Sequence, residues 1–554
     1  MRDALGEALD AAAGRGRPAR IRRAKGDLPE RAGVFAVVAV RYCWPAAAAT
    51  CECWPFVLLH SCTAPQSNRL CMSDRLLTTE TTAEPGDARG ARPAVLGLFD
   101  AVSIIIGIVV GSSIYKVSPL VFANVSSPLE GMGLWVFGAV LSLLGAFCYA
   151  ELATTYPRSG GDYVYLTRAY GPLAGFLFGW AHLGGILTGS IGAMAFVFAE
   201  YATPFFVSSG TSAAQQATSE IGLAIGAIVV LSVTNLLGVV FGKWVQNFLT
   251  VAKVIGLGAI VVSGLGWGAA SPFSEQVVAG NEKPHLALIF ILYAFGGWSD
   301  SAFVAAEVKD TRRNLPRALI LGIAGIAVVY LLVNLAYLKA LGFEGLRGSR
   351  TPAADALRPL LGDFGDRAMR LLVMVSALGA LNGLIFTGSR VHASLGADHR
   401  LFAWLGRWNP RFGTPVGSLV TQMIITVTLV SLVGTQGGRN LVDATATACG
   451  LRPVPWKFND GFETLVAATA PIFWTFFLLT GLTVIVLRRN DGPRIRPFRV
   501  PLYPVTPLVF CATCGFMVYG ALDWAGSLAL IGIGPLALGL PAYFLTSRKA
   551  DRTA

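Results

Sequence analysis

From residue 95 onward the chain alternates on a coarse scale between apolar stretches of about 20 residues, the length of a helix that crosses a hydrocarbon core, and short polar connections. Six such stretches lie at 95 to 121, 132 to 154, 172 to 201, 221 to 241, 247 to 267 and 286 to 306. Six more follow at 318 to 341, 368 to 389, 416 to 434, 467 to 487, 502 to 522 and 527 to 546. The pattern predicts an all-α membrane protein with twelve transmembrane helices.

Composition supports this reading. With 54% hydrophobic and 14% charged residues, the chain is too apolar to clothe soluble domains in water-facing surface. A net charge of +12 would fit nucleic-acid binding if it formed a patch, but past the N-terminal tail the basic residues sit mostly in short loops between apolar stretches. Alternate loops are basic: Arg158 and Arg168; Lys243; Lys309, Arg312, Arg313 and Arg317; Arg390, Arg400, Arg407 and Arg411; then Arg488, Arg489, Arg494, Arg496 and Arg499. The loops at 122 to 131, 202 to 220 and 523 to 526 contain no Lys or Arg. Excess positive charge marks cytoplasmic loops, which places both termini in the cytoplasm. Two outer stretches depart from the rule: Lys339 to Arg370, and an insertion at 435 to 465 that carries Arg439, Arg452 and Lys457. That insertion either covers the outer mouth or is a tolerated long loop.

Residues 1 to 90 read as a tail, expected to be disordered. Arg41 interrupts the one apolar run that would suit a signal peptide, and Met72 opens a polar lead-in typical of what precedes a first span. The native start is therefore expected at Met72, and N-terminal sequencing that found upstream residues would refute this. Cys43, Cys51, Cys53, Cys62 and Cys71 lack zinc-site spacing, Cys148, Cys511 and Cys514 lie in apolar stretches, and Cys449 is alone in an outer loop. Neither a metal site nor a disulfide framework is expected.

Two apolar stretches contain sequence that a continuous helix tolerates poorly. The first has Gly107, Gly111, Ser112 and Ser113 at its middle, and the sixth has Gly296 and Gly297. One glycine in a membrane helix more often serves packing. Two interruptions that open successive sets of five spans fit transporters built as 5+5 inverted repeats, in which broken helices meet near the bilayer midplane. Spans 1 to 5 (residues 91 to 270) and 6 to 10 (286 to 490) would be the repeats, followed by two C-terminal helices (500 to 546) and a cytoplasmic tail (547 to 554). Exposed amides at one half-helix and carbonyls at the other suit the carboxylate and ammonium of an amino acid.

Five motifs then carry a family resemblance: GIVVGSSIY at 107 to 115, CYAELATTYPRSGGDYVYL at 148 to 166, VQNFLTVAK at 245 to 253, YAFGGWSDSAFVAAE at 293 to 307 followed by RRNLPRA, and NGLIFTGSR at 382 to 390. In order and spacing the chain resembles the amino acid/polyamine/organocation superfamily, specifically its L-type amino acid transporter-like branch, over residues 94 to 546. The resemblance implies a LeuT-like fold with broken helices 1 and 6.

It also implies a substrate site. The first break, Val110, Gly111, Ser112, Ser113 and Ile114, would bind the carboxylate through backbone amides. The second, Tyr293, Ala294, Phe295, Gly296 and Gly297, would offer carbonyls to the amine, with Tyr293 either gating the site or packing in the bundle. Ser113 stands where the family has glycine, as a ligand hydroxyl or a helix cap. Asn382 and Trp474 either line the cavity or serve helix packing. Lys253 lies deep in the fifth span, where an ammonium needs a partner. In some relatives a lysine there occupies the place of a sodium ion, which would make transport sodium-independent; snorkelling is the alternative. Asp300 would pair with Lys253, bind a cationic substrate or carry a proton, or else stabilise the resumed helix as an N-terminal acid. Glu151, Arg158, Asp162, Glu307 and Arg390 gather at cytoplasmic ends as gating pairs.

The function expected is secondary transport of amino acids by alternating access, through exchange or proton coupling, with no cofactor and no enzymatic activity. A polyamine or cationic amino acid carrier is the alternative within transport, and a membrane amino acid sensor is the alternative outside it. The five histidines form no metal-ligand spacing, and no nucleophile stands beside a base. Residues 202 to 220 contain no cysteine, so a disulfide-linked heavy chain is not expected.

Overall fold

A computed structural model describes residues 94–208, 212–273, 283–349, 351–448, 450, 452–458 and 460–547. The tail at 1 to 90, the start expected at Met72, Cys43, Cys51, Cys53, Cys62, Cys71 and Cys449, and residues 548 to 554 of the C-terminal tail lie outside the described residues. The described chain is helical, and its extended pairing among those residues is limited to isolated bridges such as Leu96 with Val308.

Among the described residues, ten helices are long and apolar enough to cross a membrane, and the bent pair α1 (Leu98–Val109) and α2 (Ser113–Phe122) brings the number to eleven. The chain then runs through α3 (Pro128–Thr155), a short α4 (Asp162–Tyr170), α5 (Pro172–Ala181) continuing by a π-turn at His182–Ile186 into α6 (Leu187–Phe206), α7 (Ala213–Leu236) and α8 (Val239–Trp267). Next come α9 (Pro284–Ala294), a 3₁₀ helix (Trp298–Glu307), α10 (Thr311–Gly348), α11 (Pro352–Leu361) and α12 (Gly365–Asp398). The last are α13 (Val416–Gly434), α14 (Gln436–Ala448), α15 (Gly461–Asn490), α16 (Val505–Ala525) and α17 (Ala529–Ser547).

Local chemistry sets the boundaries. Pro128, Pro172, Pro284 and Pro352 occupy first turns, where a missing amide costs nothing. Before α3, Ser127 Oγ accepts from Glu130 N at 3.2 Å and the Glu130 carboxylate accepts from Ser126 N at 2.8 Å, so side chains satisfy free donors at the helix start.

The burial pattern is that of a chain in lipid. On α8, Gln246, Thr250 and Lys253 are buried whereas Trp244, Phe248 and Ile255 are exposed. A helix in water places these groups the other way round, because water solvates the polar face. The hydrocarbon reverses the preference and drives polar side chains toward one another.

Among the described residues of the insertion at 435 to 465, α14 packs beside α13, and the segment at 452–458 folds back on Asp443, which accepts from Val454 N at 2.9 Å and from Trp456 Nε1 at 3.1 Å.

Candidate functional site

Both interruptions expected in the first and sixth spans are present in the backbone. Helix α1 stops because Val110 leaves helical space at φ −77°, ψ 70°, and α2 resumes at an angle of 52°. Gly111 N turns back to Val109 O at 2.8 Å, while among the described residues no backbone carbonyl accepts from the amides of Ser112 or Ser113. Those donors are free for a ligand. In the sixth span Phe295 N still bonds Ile291 O at 3.0 Å, Gly296 N closes onto Tyr293 O at 3.0 Å, and Gly297 takes φ 97° before the 3₁₀ helix begins. Gly297 is required twice over: its φ is left-handed, and a Cβ there would lie 2.7 Å from Ile108 Cγ2 of α1.

The two breaks are tied together by a residue that sequence reasoning missed. The hydroxyl of Tyr330, on α10, lies 3.2 Å from Val109 O and 3.2 Å from Ala294 O. A tyrosine inside an apolar span carries no signal of this role, since most such tyrosines pack.

A cavity of about 170 Å³ lies against both breaks, lined by Gly111, Ser112, Ser113, Tyr293, Gly296, Gly297 and Asp300. Met194, Phe473, Trp474 and Phe477 give it an apolar wall, and Ser190 and Thr469 add hydroxyls. A Cβ on Gly111 would sit 3.4 Å from Met194 Sδ, and one on Gly296 would meet only Tyr293 O at 3.1 Å. Larger side chains at either position would enter the cavity.

Other residues expected at the site are near it without lining it. Val110 turns its carbonyl to Lys253, Ile114 is buried in the first turn of α2, and Phe295 packs its ring against Trp135 and Tyr330. The Ala294 carbonyl is taken by Tyr330. Asn382 is placed in a buried network instead: it accepts from Asn235 Nδ2 at 2.9 Å and donates to Gln246 Oε1 at 2.9 Å and Gly242 O at 3.2 Å, joining α7, α8 and α12. Its position on the cavity wall is corrected accordingly, because three polar neighbours hold the amide among the helices.

Lys253 sits behind the first break. Its ammonium donates to the carbonyls of Gly107 (2.8 Å), Val110 (2.6 Å) and Ser376 (3.1 Å), and it is fully buried. Gly379 makes room for it, since a Cβ there would lie 2.9 Å from Nζ. Three carbonyls satisfy all three ammonium donors, so neither the pairing with Asp300 nor snorkelling to an interface occurs. Asp300 faces the cavity.

The charged residues expected at a gate divide into separate pairs. Arg390 and Glu307 form a bidentate pair at 2.9 Å and 2.9 Å, buried, with Arg390 also donating to Phe386 O at 2.7 Å. Glu151 pairs with Arg488 of α15 and accepts from Val500 N at 2.6 Å. Arg158 reaches Asp398 at 3.8 Å on the surface. Asp162 has no ion pair among the described residues and lines the cavity, which corrects its place in a gate pair. A further pair not foreseen, Lys116 with Glu200 at 2.7 Å, joins α2 to α6. The lysine shortly after the first break in an apolar span was its available signal.

The model of the amino acid permease family matches residues 96–528, a stretch that contains both breaks and the cavity. The chain belongs to the amino acid permease family. Within it, the chain is an L-type-like member of the amino acid/polyamine/organocation superfamily, an integral membrane transporter and not an enzyme. The permease is 30% identical over 437 residues to the b(0,+)-type amino acid transporter 1 of Homo sapiens, covering 76% of this chain and 81% of the relative. It is 28% identical over 481 residues to the cystine/glutamate transporter of Homo sapiens, covering 86% and 89%. It is 29% identical over 460 residues to the Asc-type amino acid transporter 1 of Mus musculus, covering 81% and 80%.

Proposed function

We propose that the permease moves amino acids across the membrane by alternating access, without sodium, with the substrate held between its two breaks. The observation that carries this reading is the cavity lined by both interrupted segments together. The unbonded amides of Ser112 and Ser113 receive the carboxylate, carbonyls of the second break receive the ammonium, and the wall of Phe473, Trp474 and Phe477 receives an apolar side chain. A zwitterion is then bound mainly by backbone, which needs no charged side chain against it. Lys253 fills a cluster of three carbonyls, the kind of ligand a hard cation takes, and on this reading its ammonium substitutes for a coupling sodium ion.

The proposal extends to architecture. The apolar helical region Val505–Thr546 has 42 residues, about twice what one crossing needs, and the turn at Gly526–Leu528 divides it. Counting it twice gives twelve spans, arranged as two repeats of five and a final pair, with both termini cytoplasmic by loop charge. No disulfide-linked heavy chain is proposed, because the loop after α6 has no cysteine in the sequence.

A second reading, transport of cationic amino acids or polyamines, is favoured by one observation: the carboxylate of Asp300 lies on the cavity wall. Reconstituted proteoliposomes preloaded with unlabelled substrate separate the two. Uptake of labelled leucine that is competed by neutral amino acids, unaffected by sodium, supports the first. Competition by arginine or putrescine alone supports the second, and substrate binding without any uptake would overturn both.

A further inference from the structure

One group on the cavity wall is not used by a zwitterionic substrate held at the breaks. Asp162 opens α4, and this start is attached to the helix that carries Asp300, since Gly160 N donates to Phe303 O at 2.9 Å. Asp162 and Asp300 therefore face one cavity from adjoining elements.

The surroundings of Asp162 are polar and carry hydroxyl groups rather than a cation. Its Oδ1 is buried with no hydrogen-bond partner among the described residues, and so are Tyr149 Oη of α3, Tyr165 Oη of α4 and Thr480 Oγ1 of α15. All four residues are at least nine-tenths buried. Tyr149 and Thr480 face the carboxyl group. Tyr149 and Thr480 can bond the Asp162 carboxyl, so the cost that remains is that of a buried carboxylate with hydroxyls and no cation beside it. Such surroundings admit an occupant that is small, polar and able to donate to the carboxylate.

Charge indicates which occupant. From α3, Tyr149 faces Asp162; from α4 itself, Tyr165; from α15, Thr480; from the 3₁₀ helix, Asp300. On the neighbouring face, His182 lines the cavity and lies 3.2 Å, Nδ1 to Nε2, from His392 of α12. The guanidinium of Arg390 is committed to Glu307, and Lys253 to its carbonyls. Two carboxylates thus share the cavity with no ion-pair partner among the described residues, and a positive charge is favoured there when both are ionised. A hard metal cation would seek a cage of carbonyl and carboxylate oxygens. The carbonyl cluster of this bundle already holds Lys253, and around Asp162 the remaining ligands are hydroxyls, which suit water and a proton.

We propose that Asp162, with Tyr149, Tyr165 and Thr480 around it, is a proton-carrying site that couples amino acid movement to proton movement. Its carboxylate takes a proton from water on the side to which the cavity is open and returns it to water on the other side, and Asp300 favours the loaded form by repelling a second negative charge. This rests on the reading of the cavity as the transport site.

The test uses the full chain in proteoliposomes that enclose a pH-reporting dye, with labelled leucine outside. With an inward acid gradient of about one pH unit, coupling of one proton per substrate should concentrate leucine up to about tenfold, the ratio that corresponds to about 1.4 kcal/mol. The dye should report acidification that depends on leucine. Asp162→Asn should abolish both the accumulation and the acidification, Asp162→Glu should restore them with a shifted pH profile, and Thr480→Val should shift the profile alone. Size-exclusion behaviour and thermal melting report whether each variant is folded, and the wild-type measurement tests coupling without any variant. Leucine counterflow in the wild type with no acidification would overturn this inference and leave the transport reading intact. Accumulation driven by a sodium or potassium gradient instead of pH would overturn it too, as would full proton coupling in Asp162→Asn. Absence of any counterflow with a panel of amino acids would overturn the transport reading and this inference with it.

Discussion

The two interrupted spans end their first halves in a similar way and are held open differently. At the first, three residues leave the helix and the direction changes by 52°, with the carbonyls of Gly107 and Val110 drawn to an ammonium from α8, 143 residues away in sequence in the case of Val110. At the second, the chain resumes as a tighter helix after a left-handed glycine, and the supports are Gly297 and the rings of Trp135, Phe295 and Tyr330. One break is braced by a distant charge and the other by local backbone and packing. A broken helix in lipid needs partners for its freed polar groups, and the partners need not be alike. The hydroxyl of Tyr330 serves both.

Substitutions can break this comparison. The largest effect is expected for Gly111→Leu and Gly296→Leu, whose side chains would occupy the cavity from opposite breaks. Uptake should fall below about one-tenth of wild type, the result of at least about 1.4 kcal/mol of lost binding, with membrane insertion unchanged. Unchanged labelled uptake in both would reject the site.

Next in size is Lys253→Met, which leaves carbonyls of the first break without their donor. A loss of about 3 kcal/mol is expected, seen as a lowered melting temperature in detergent, with uptake lost as well. A variant as stable as wild type would mean that the first break holds itself open as the second does.

Gly297→Ala should cost about 1–3 kcal/mol by combining a positive φ with a close approach to Ile108, again read from thermal melting. The smallest effect is expected for Tyr330→Phe, about 1 kcal/mol for one shared hydroxyl. It also sharpens the contrast. If Tyr330 couples the breaks, Lys253→Met and Gly297→Ala should be non-additive by more than about 0.5 kcal/mol in the wild-type background and additive in Tyr330→Phe.

Much of this arrangement was legible in the sequence. The spans follow the apolar runs closely, as at 416 to 434, which is helical over Val416–Gly434. The breaks were legible because glycine and serine in mid-span lower helix stability wherever they occur. The depth of Lys253 was legible too, but not its ligands. Asn382 shows the limit: an amide in an apolar span is equally suited to a cavity or to a polar network, and Asn235 and Gln246 decided for the network. Asp162 shows the opposite error, since its position at a loop end beside Arg158 suggested an ion pair, whereas the fold turns it toward the cavity.

The sequence by itself therefore determined that the chain crosses a membrane as helices and where two of those helices are interrupted, because span length and backbone propensity are local properties, while the resemblance of its motifs pointed to the family. Which polar groups meet was decided only by the tertiary structure. Tyr330 reaches Val109 across 221 residues and Arg488 reaches Glu151 across 337. Helical periodicity shows which face of a span turns inward, but the partner on that face depends on how distant helices pack and cross.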